Sequence, residues 1–233
     1  MARYKTLKTL DSAIVKCRSC PRLVEWREEV ARTKRKSYKD EKYWGKPVPG
    51  FGSESPTILV VGLAPGAHGA NRTGRIFTGD SSGDWLYRSL HKNGLASLST
   101  STSRDDGQEL FGTRITCAVH CAPPDNKPSL EERDTCSSWL SNELGIVYPQ
   151  IRVIVALGSF AWDAMIRRLR IDFEVEKKAP KFAHGAEFEW HDDDGNSRLL
   201  IGSYHPSQQN TFTGKLTEAM LDGVFRRASR FAR

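Results

Sequence analysis

The sequence predicts an α/β fold: a three-layer α/β/α sandwich around a central, mainly parallel four-stranded sheet. Four short apolar runs rich in β-branched residues are typical of strands that are buried on both faces. Amphipathic helical patterns alternate with these runs along the chain. The 233 residues, of which 38% are hydrophobic and 27% charged, suffice for one domain with a sizeable core. We therefore expect a single domain over residues 1–233.

The elements can be placed in order along the chain. Strands are expected at 57–62, 114–119, 152–158 and 198–204, helices at 82–93, 129–144, 160–169 and 215–231, and polar loops at 32–46 and 98–108. Ser129 is a plausible N-cap, and Glu132 three residues later completes a capping box. A hairpin is expected before the last strand, because 187–190 and 197–201 flank the turn signal DGN.

Charge is distributed unevenly. The chain has 35 Lys and Arg against 28 Asp and Glu, a net charge of +7. Segment 16–46 carries eleven Lys or Arg against five acids, whereas 187–194 carries five acids and neither Lys nor Arg. One face is therefore expected to suit phosphates, although a solvated basic helix would explain 16–46 equally well.

Membrane and export signals are absent from the sequence. No run reaches the eighteen or so apolar residues of a membrane span, and the N-terminal residues lack the apolar core of a signal peptide. We therefore expect a cytoplasmic protein without a membrane partner.

Three loops are the expected places for chemistry, because ligands of open parallel sheets bind at the carboxyl ends of the strands. They read GLAPGAHGANRTGRIFTGDSSGDW at 62–85, HCAPPDNKP at 120–128 and HPSQQNTFTG at 205–214. Their Gly, Pro, Asn, His and Asp residues are not those that build a core.

The five cysteines suggest a metal centre. Cys17 and Cys20 form a C-x2-C pair, Cys121 follows a predicted strand, and Cys136 lies on the next predicted helix. Zinc and iron–sulfur clusters both use thiolates with such spacing, whereas five inert thiols are the plain alternative. Cys117 lies within a predicted strand, where a cysteine is usually a small buried hydrophobe. A disulfide framework is not expected in a cytoplasmic chain of this size.

Taken together, these motifs resemble the uracil-DNA glycosylase superfamily, and in particular its iron–sulfur family 5, also called type B. The resemblance covers almost the whole chain, from the C-x2-C pair through GLAPGAHGANRTGRIFTGD and CAPPDNKP to the HPS at 205–207. It implies hydrolysis of the N-glycosidic bond of uracil and other deaminated bases, such as hypoxanthine, in DNA. This reaction begins base-excision repair, and we expect a monomer that acts on double-stranded damaged DNA. The resemblance also implies a structural 4Fe–4S cluster on Cys17, Cys20, Cys121 and Cys136.

Two departures distinguish the chain from related families. Those families place an acid or an amide near the GxxP turn, where this chain has Leu63 and Ala64. Family 4 has an Asn in the second strand, where this chain has Cys117. The resemblance therefore implies a looser pocket that accepts several damaged bases.

Catalytic roles are assigned by the charge that cleavage creates. An enzyme must turn the base out of the helix before it can attack, and cleavage then leaves positive charge on the sugar and negative charge on the base. His205 is expected to donate a hydrogen bond to the departing base, although a His-Pro pair can also be a simple turn. Asp80 is expected to stabilise the sugar or position the water, with Asn126 as a second residue for that water. A helix cap is the alternative for Asp80, and Asp84 is a rival acid.

No strand-cleaving lyase activity is expected, because the proposed catalytic motifs contain no lysine except the neighbouring Lys127. Two other classes of function stay open at this point. The chain could be a non-catalytic iron–sulfur protein that binds nucleic acid, or a redox protein that uses the cluster for electron transfer.

Further residues are assigned to substrate and DNA. Phe77 is expected to stack on the everted base, with a loop anchor in the core as the alternative. Gly62, Ala64 and Gly66 are expected to let the backbone approach the base or a phosphate closely. Phosphate and minor-groove contacts are expected from Arg72, Arg75, Ser207, Gln208, Gln209 and Asn210.

Overall fold

The computed structural model describes residues 3–233 and contains a six-stranded sheet. Its strands are β1 (Phe51–Gly52), β2 (Ile58–Gly62), β3 (Thr113–Cys117), β4 (Val153–Leu157), β5 (Glu187–His191) and β6 (Ser197–Ser203), in the order β1-β3-β2-β4-β6-β5. The four central strands are parallel, and the two edge strands are antiparallel to their neighbours. The predicted parallel centre and the predicted hairpin are both confirmed. Strand β1 is an addition, since two residues are too few to give a period in the sequence.

Helices cover both faces of the sheet. They are α1 (Leu7–Ile14), α2 (Pro21–Thr33), α3 (Ala70–Thr73), α4 (Ser81–Lys92), α5 (Leu130–Val147), α6 (Ser159–Asp172), α7 (Gln208–Phe212) and α8 (Glu218–Phe231). One face carries α4 and α8, and the other carries α1, α5 and α6. The predicted three-layer arrangement is confirmed.

Strand β2 shows why the apolar runs are continuous. Ile58 and Val60 pack into the core beneath α4 and α8, whereas Leu59 and Val61 pack into the core beneath α5 and α6. Because successive side chains of a strand point to opposite faces, both faces need apolar residues. Each such side chain contributes about 1.5–3 kcal/mol on full burial.

Local capping also follows the sequence. Ser129 accepts a hydrogen bond from the Glu132 N–H at 3.1 Å, and the Glu132 carboxylate accepts one from the Ser129 N–H at 2.8 Å. The predicted capping box is therefore confirmed. Helix α1 begins after the N-cap Thr6 and was not predicted, whereas α2 begins with Pro21 and lies in segment 16–46, for which a solvated basic helix was one of the two interpretations.

The topology creates a crevice at one end of the sheet. From β2 the chain passes through α4 to β3 on one side, and then through α5 to β4 on the other side of β2. Such a switch in direction leaves a crevice at the carboxyl ends of the strands. Within residues 3–233, no helix is both long and apolar enough to cross a membrane.

Candidate active site

A cavity of about 250 Å³ opens at the carboxyl ends of β2, β4 and β6. This is slightly below the range of about 300–1,000 Å³ that is typical of ligand pockets, and it suits one base. Residues from each of the three strand ends meet there, including Leu63, Gly158, Tyr204, His205, Asn210 and Lys215. A larger groove of about 380 Å³ lies near the start of β3, beside Asp11 and Arg114, and contains none of the predicted site residues.

His205 lines the cavity two residues after the end of β6. Burial lowers the pKa of His205 to about 4, so the imidazole is neutral at pH 7. Among residues 3–233, no protein group hydrogen-bonds its ring nitrogens, and the Asn210 side chain fixes its backbone by donating to the His205 carbonyl oxygen at 2.9 Å. A neutral imidazole keeps one N–H, and this N–H is available to a ligand in the cavity.

Phe77 connects the loop after β2 with His205. The two rings stack with centroids 5.8 Å apart and planes at 30°. Phe77 is buried, with a φ of 51°, and a Cβ on Gly62 would lie only 2.7 Å from its Cε2. The ring thus anchors the loop in the core, which was the alternative reading. Gly62 makes room for this ring, and the predicted contact of Phe77 with a base stays a prediction.

Asp80 is the N-cap of α4. Its Oδ1 accepts a hydrogen bond from the Gly83 N–H at 2.9 Å, so the predicted alternative of a helix cap is present. The other oxygen, Oδ2, lies against the loop after β2: a Cβ on Gly66 would be 3.0 Å from it and a Cβ on Gly69 only 1.9 Å. Burial raises the pKa of Asp80. The cap uses one carboxylate oxygen and leaves the other facing the loop.

Two arginines occupy positions that differ from their predicted role. Arg72 donates to the carbonyl oxygens of His68 and Gly79 and pairs with Glu41. Arg75 donates to Ser101 Oγ at 2.6 Å and pairs with Asp106 at 2.5 Å. Both side chains are buried, so the prediction that they contact DNA phosphates does not fit the structure. Their guanidinium groups hold the loop together instead.

Of the predicted site residues, His205 and Asn210 line the cavity, whereas Asp80, Phe77, Asn126 and Ala64 do not. Asn126 is exposed, on a 3-10 turn at Pro124–Asn126, with a φ of 55°. Ala64 packs against a cluster of Leu23, Val119 and cysteines. Neither residue is placed to contact a base in the cavity of the described structure.

The segment after His205 forms the short helix α7. Ser207 caps it by accepting from the Asn210 N–H, and Gln208 and Gln209 are exposed. Phe212 at its end is 81% exposed, and sequence reasoning missed it. Phe212 is an aromatic residue in an otherwise polar loop. The same signal led to the prediction for Phe77.

The four cysteines assigned to a cluster line one small cavity. Phe160 packs against the apolar cluster that contains Cys121 and Cys136, and it also lines the candidate active site. Burial raises the pKa of Cys121 to about 11. Cys117 is fully buried in the core beside Gly62, as predicted for a small hydrophobe.

A buried cation that sequence reasoning missed lies beside the cysteine cavity, in contact with Cys121. Arg27 is 2% exposed, donates from Nη1 to Cys121 Sγ at 2.9 Å and from Nη2 to the Cys17 carbonyl oxygen at 3.2 Å. The backbone N–H of His120 donates to Cys136 Sγ at 3.4 Å. No set of three or more His, Cys, Asp or Glu side chains in residues 3–233 stands in metal-holding geometry. The donor set and the buried cation nevertheless fit an anionic group bound by thiolates.

Known proteins resemble the chain over most of its length. Residues 49–228 match the model of the uracil DNA glycosylase superfamily. A type-5 uracil-DNA glycosylase of Mycobacterium leprae is 52% identical over 97% of this chain and 96% of its own length. A type-5 enzyme of Thermus thermophilus is 49% identical over 100% of this chain and 99% of its own. A type-4 uracil-DNA glycosylase of Archaeoglobus fulgidus is 30% identical over 69% of this chain and 70% of its own.

Proposed function

Since this chain belongs to the uracil-DNA glycosylase superfamily, we propose that it hydrolyses the N-glycosidic bond of uracil in DNA. Its substrate is double-stranded damaged DNA, it works as a cytoplasmic monomer, and its product is an abasic site that base-excision repair completes. One observation carries the proposal: a neutral imidazole, whose ring nitrogens have no hydrogen-bond partner within residues 3–233, lies on the wall of a base-sized cavity at the carboxyl ends of the strands.

His205 stabilises the departing base. When the bond between the sugar C1′ and the base nitrogen breaks, its electron pair moves onto the base and its carbonyl oxygens gain charge. The neutral His205 ring donates a hydrogen bond to such an oxygen, and removal of one donor of this kind typically costs about 10²–10³ in rate.

Helix α6 also stabilises the negative charge on the departing base. It begins at the cavity with Gly158, Ser159 and Phe160, and no side chain among residues 3–233 caps its first turn. The first N–H groups of a helix lack intrahelical partners and carry partial positive charge. An anionic base in the cavity is therefore stabilised at this end of α6.

Asp80 serves the sugar side of the reaction. The oxygen that is not used for the cap accepts the proton of the attacking water while the water oxygen bonds to C1′. Because burial raises the pKa of Asp80, the carboxylate is a better base than an exposed aspartate. The protonated Asp80 then supplies a proton for release of the base.

The cavity wall supports a broader choice of bases. Leu63 lines it where related families carry an acid or an amide, and Cys117 is buried in the core and turned to Gly62. The cavity therefore lacks two polar side chains that could read the edge of the base, which weakens discrimination by unpaired polar groups. We include hypoxanthine among the substrates for this reason.

The cysteine cavity would hold the proposed 4Fe–4S cluster through Cys17, Cys20, Cys121 and Cys136. If it is bound there by all four thiolates, it would crosslink the N-terminal segment to the helix after β3 and have a structural role. Arg27 balances the charge of its thiolates from the protein side. Because Phe160 packs against the cluster with Cys121 and Cys136 and lines the base cavity, such a crosslink would also restrain the position of Phe160.

The test uses duplexes that carry a single uracil, hypoxanthine or thymine opposite guanine, scored for abasic sites. We expect abasic sites with uracil and hypoxanthine, none with thymine, and a large loss of rate in His205→Ala. A protein that binds these duplexes but releases no base would contradict the proposal and favour a non-catalytic binding protein. Borohydride trapping is expected to yield no covalent DNA adduct, although Lys215 lies at the cavity.

A further inference from the structure

We propose that four exposed basic side chains on segment 34–46 form a phosphate track that holds the DNA backbone beside the base cavity. The inference rests on the proposed function, and it names the surface that binds the substrate. The track consists of Arg35, Lys36, Lys39 and Lys42.

The segment lies directly on the loop that carries Asp80. The Trp44 N–H donates to the Arg72 carbonyl oxygen at 2.9 Å, and the Gly45 N–H donates to the Asn71 carbonyl oxygen at 3.0 Å. The Tyr43 hydroxyl is 3.0 Å from His68 Nδ1. A track attached in this way keeps a constant position relative to the cavity.

Arg72 explains how the segment is held. Its guanidinium group pairs with Glu41 and lies 4.0 Å from the centroid of the Tyr38 ring. Tyr38 is half-buried and Glu41 is half-exposed, and both contact Arg72, whereas the neighbouring Lys39 and Lys42 are exposed. The buried arginine fastens the segment, and the exposed bases remain for a partner.

The track charges are available. In the described range 3–233, no carboxylate lies within ion-pair distance of Arg35, Lys36, Lys39 or Lys42. Segment 34–46 contains two acids, of which Glu41 pairs with Arg72 and Asp40 does not. Some exposed arginines elsewhere are paired, as Arg18 is with Glu28 and Arg88 with Glu218.

Arg35 also acts electrostatically on the loop. Burial and then the positive charges of Arg35 and Arg72 lower the pKa of His68. Arg35 is therefore close enough to the loop for its positive charge to act there. Phosphates are polyanionic and have the chemistry that such a charge attracts.

The salt dependence of binding tests the track. Each phosphate neutralised by a base contributes about 0.9 to the slope of log K against log salt concentration. Changing all four track residues to Gln should therefore lower the slope by up to about 3.6 on a duplex without uracil. Lys5, Lys8, Arg170 and Arg230, all exposed and without an ion-pair partner in residues 3–233, form the control variant when changed to Gln.

The outcomes separate the track from the proposed function. A reduction of two or more in the track variant, with a smaller change in the control and equal melting temperatures, supports the track. Equal slopes in the two variants overturn it, and uracil release by the wild-type protein then still stands. A wild-type protein that binds DNA steeply but releases no uracil refutes the proposed function and leaves the track intact.

Discussion

Replacing Asp80 by Asn separates the two roles of this side chain. Asn keeps an oxygen for the Gly83 N–H, which Asp80 Oδ1 now accepts at 2.9 Å, and Asn and Asp are equally good N-caps. What disappears is the charge on the oxygen that faces Gly66 and Gly69. The variant therefore tests the carboxylate and leaves the start of α4 intact.

The size of the effect on the rate follows from the role of the carboxylate. A positioned general base typically contributes about 10²–10⁴-fold, equivalent to about 2.7–5.4 kcal/mol in activation free energy at 1.36 kcal/mol for each tenfold change. We expect uracil release by Asp80→Asn to slow within this range.

The same substitution should not lower the stability of the fold, although it lowers the rate of uracil release. Burial raises the pKa of Asp80 in the folded protein, so the stability associated with its protonated form is present below pH 3.8 and is lost as the pH rises through the raised value. The neutral Asn avoids this loss. At pH 7 the variant should melt at or above the temperature of the wild-type protein.

Three measurements decide the matter: single-turnover uracil release, DNA affinity and melting temperature. Asp80→Ser, which also keeps a capping oxygen, is the matched second variant. A release rate within threefold of wild type, with unchanged affinity, would show that Asp80 is only a cap. A slow rate together with a lower melting temperature would show damage to the fold and refute the reasoning as well.

Other predictions address the base, the DNA and the cysteine cavity. His205→Ala should retain DNA affinity and lose about 10²–10³ in rate, and titration of the wild-type His205, with a pKa of about 4, should not lower the rate between pH 7 and 5.5. Phe212→Ala should weaken binding of a uracil duplex by about 1–3 kcal/mol if the ring stacks on bases. Phe111→Ala, another exposed aromatic, is its control, and equal losses would contradict the role. Arg27→Gln should lose iron faster than wild type on exposure to air, measured as iron per chain, and equal retention would contradict charge balance at Cys121.

Most strands of the sheet could be predicted because the alternation of buried side chains appears within a few consecutive residues. Residues 58–61 alternate between two cores, and this requirement appears directly as an apolar run. Helix α5 was equally visible through its capping box. Strand β1 was not, since its pairing with β3 joins residues more than sixty positions apart and depends on no local pattern.

The site was only partly predictable for a related reason. Arg72 and Arg75 lie in a Gly-rich loop and resemble phosphate ligands, but Glu41 and Asp106 reach them from distant segments and bury them. No pattern in the sequence near Arg72 or Arg75 indicates these distant partners. His205 was predictable because it follows a strand end, where the topology itself builds the cavity.

The claim that the cavity at the strand ends binds the everted base can be tested most directly by a crystal structure of the Asp80→Asn protein with a duplex that contains uracil. We predict that the uracil is turned out of the helix and lies in this cavity, with a carbonyl oxygen within hydrogen-bonding distance of a His205 ring nitrogen. A uracil that stays stacked in the duplex, or that occupies the groove beside Asp11 and Arg114, would contradict the account.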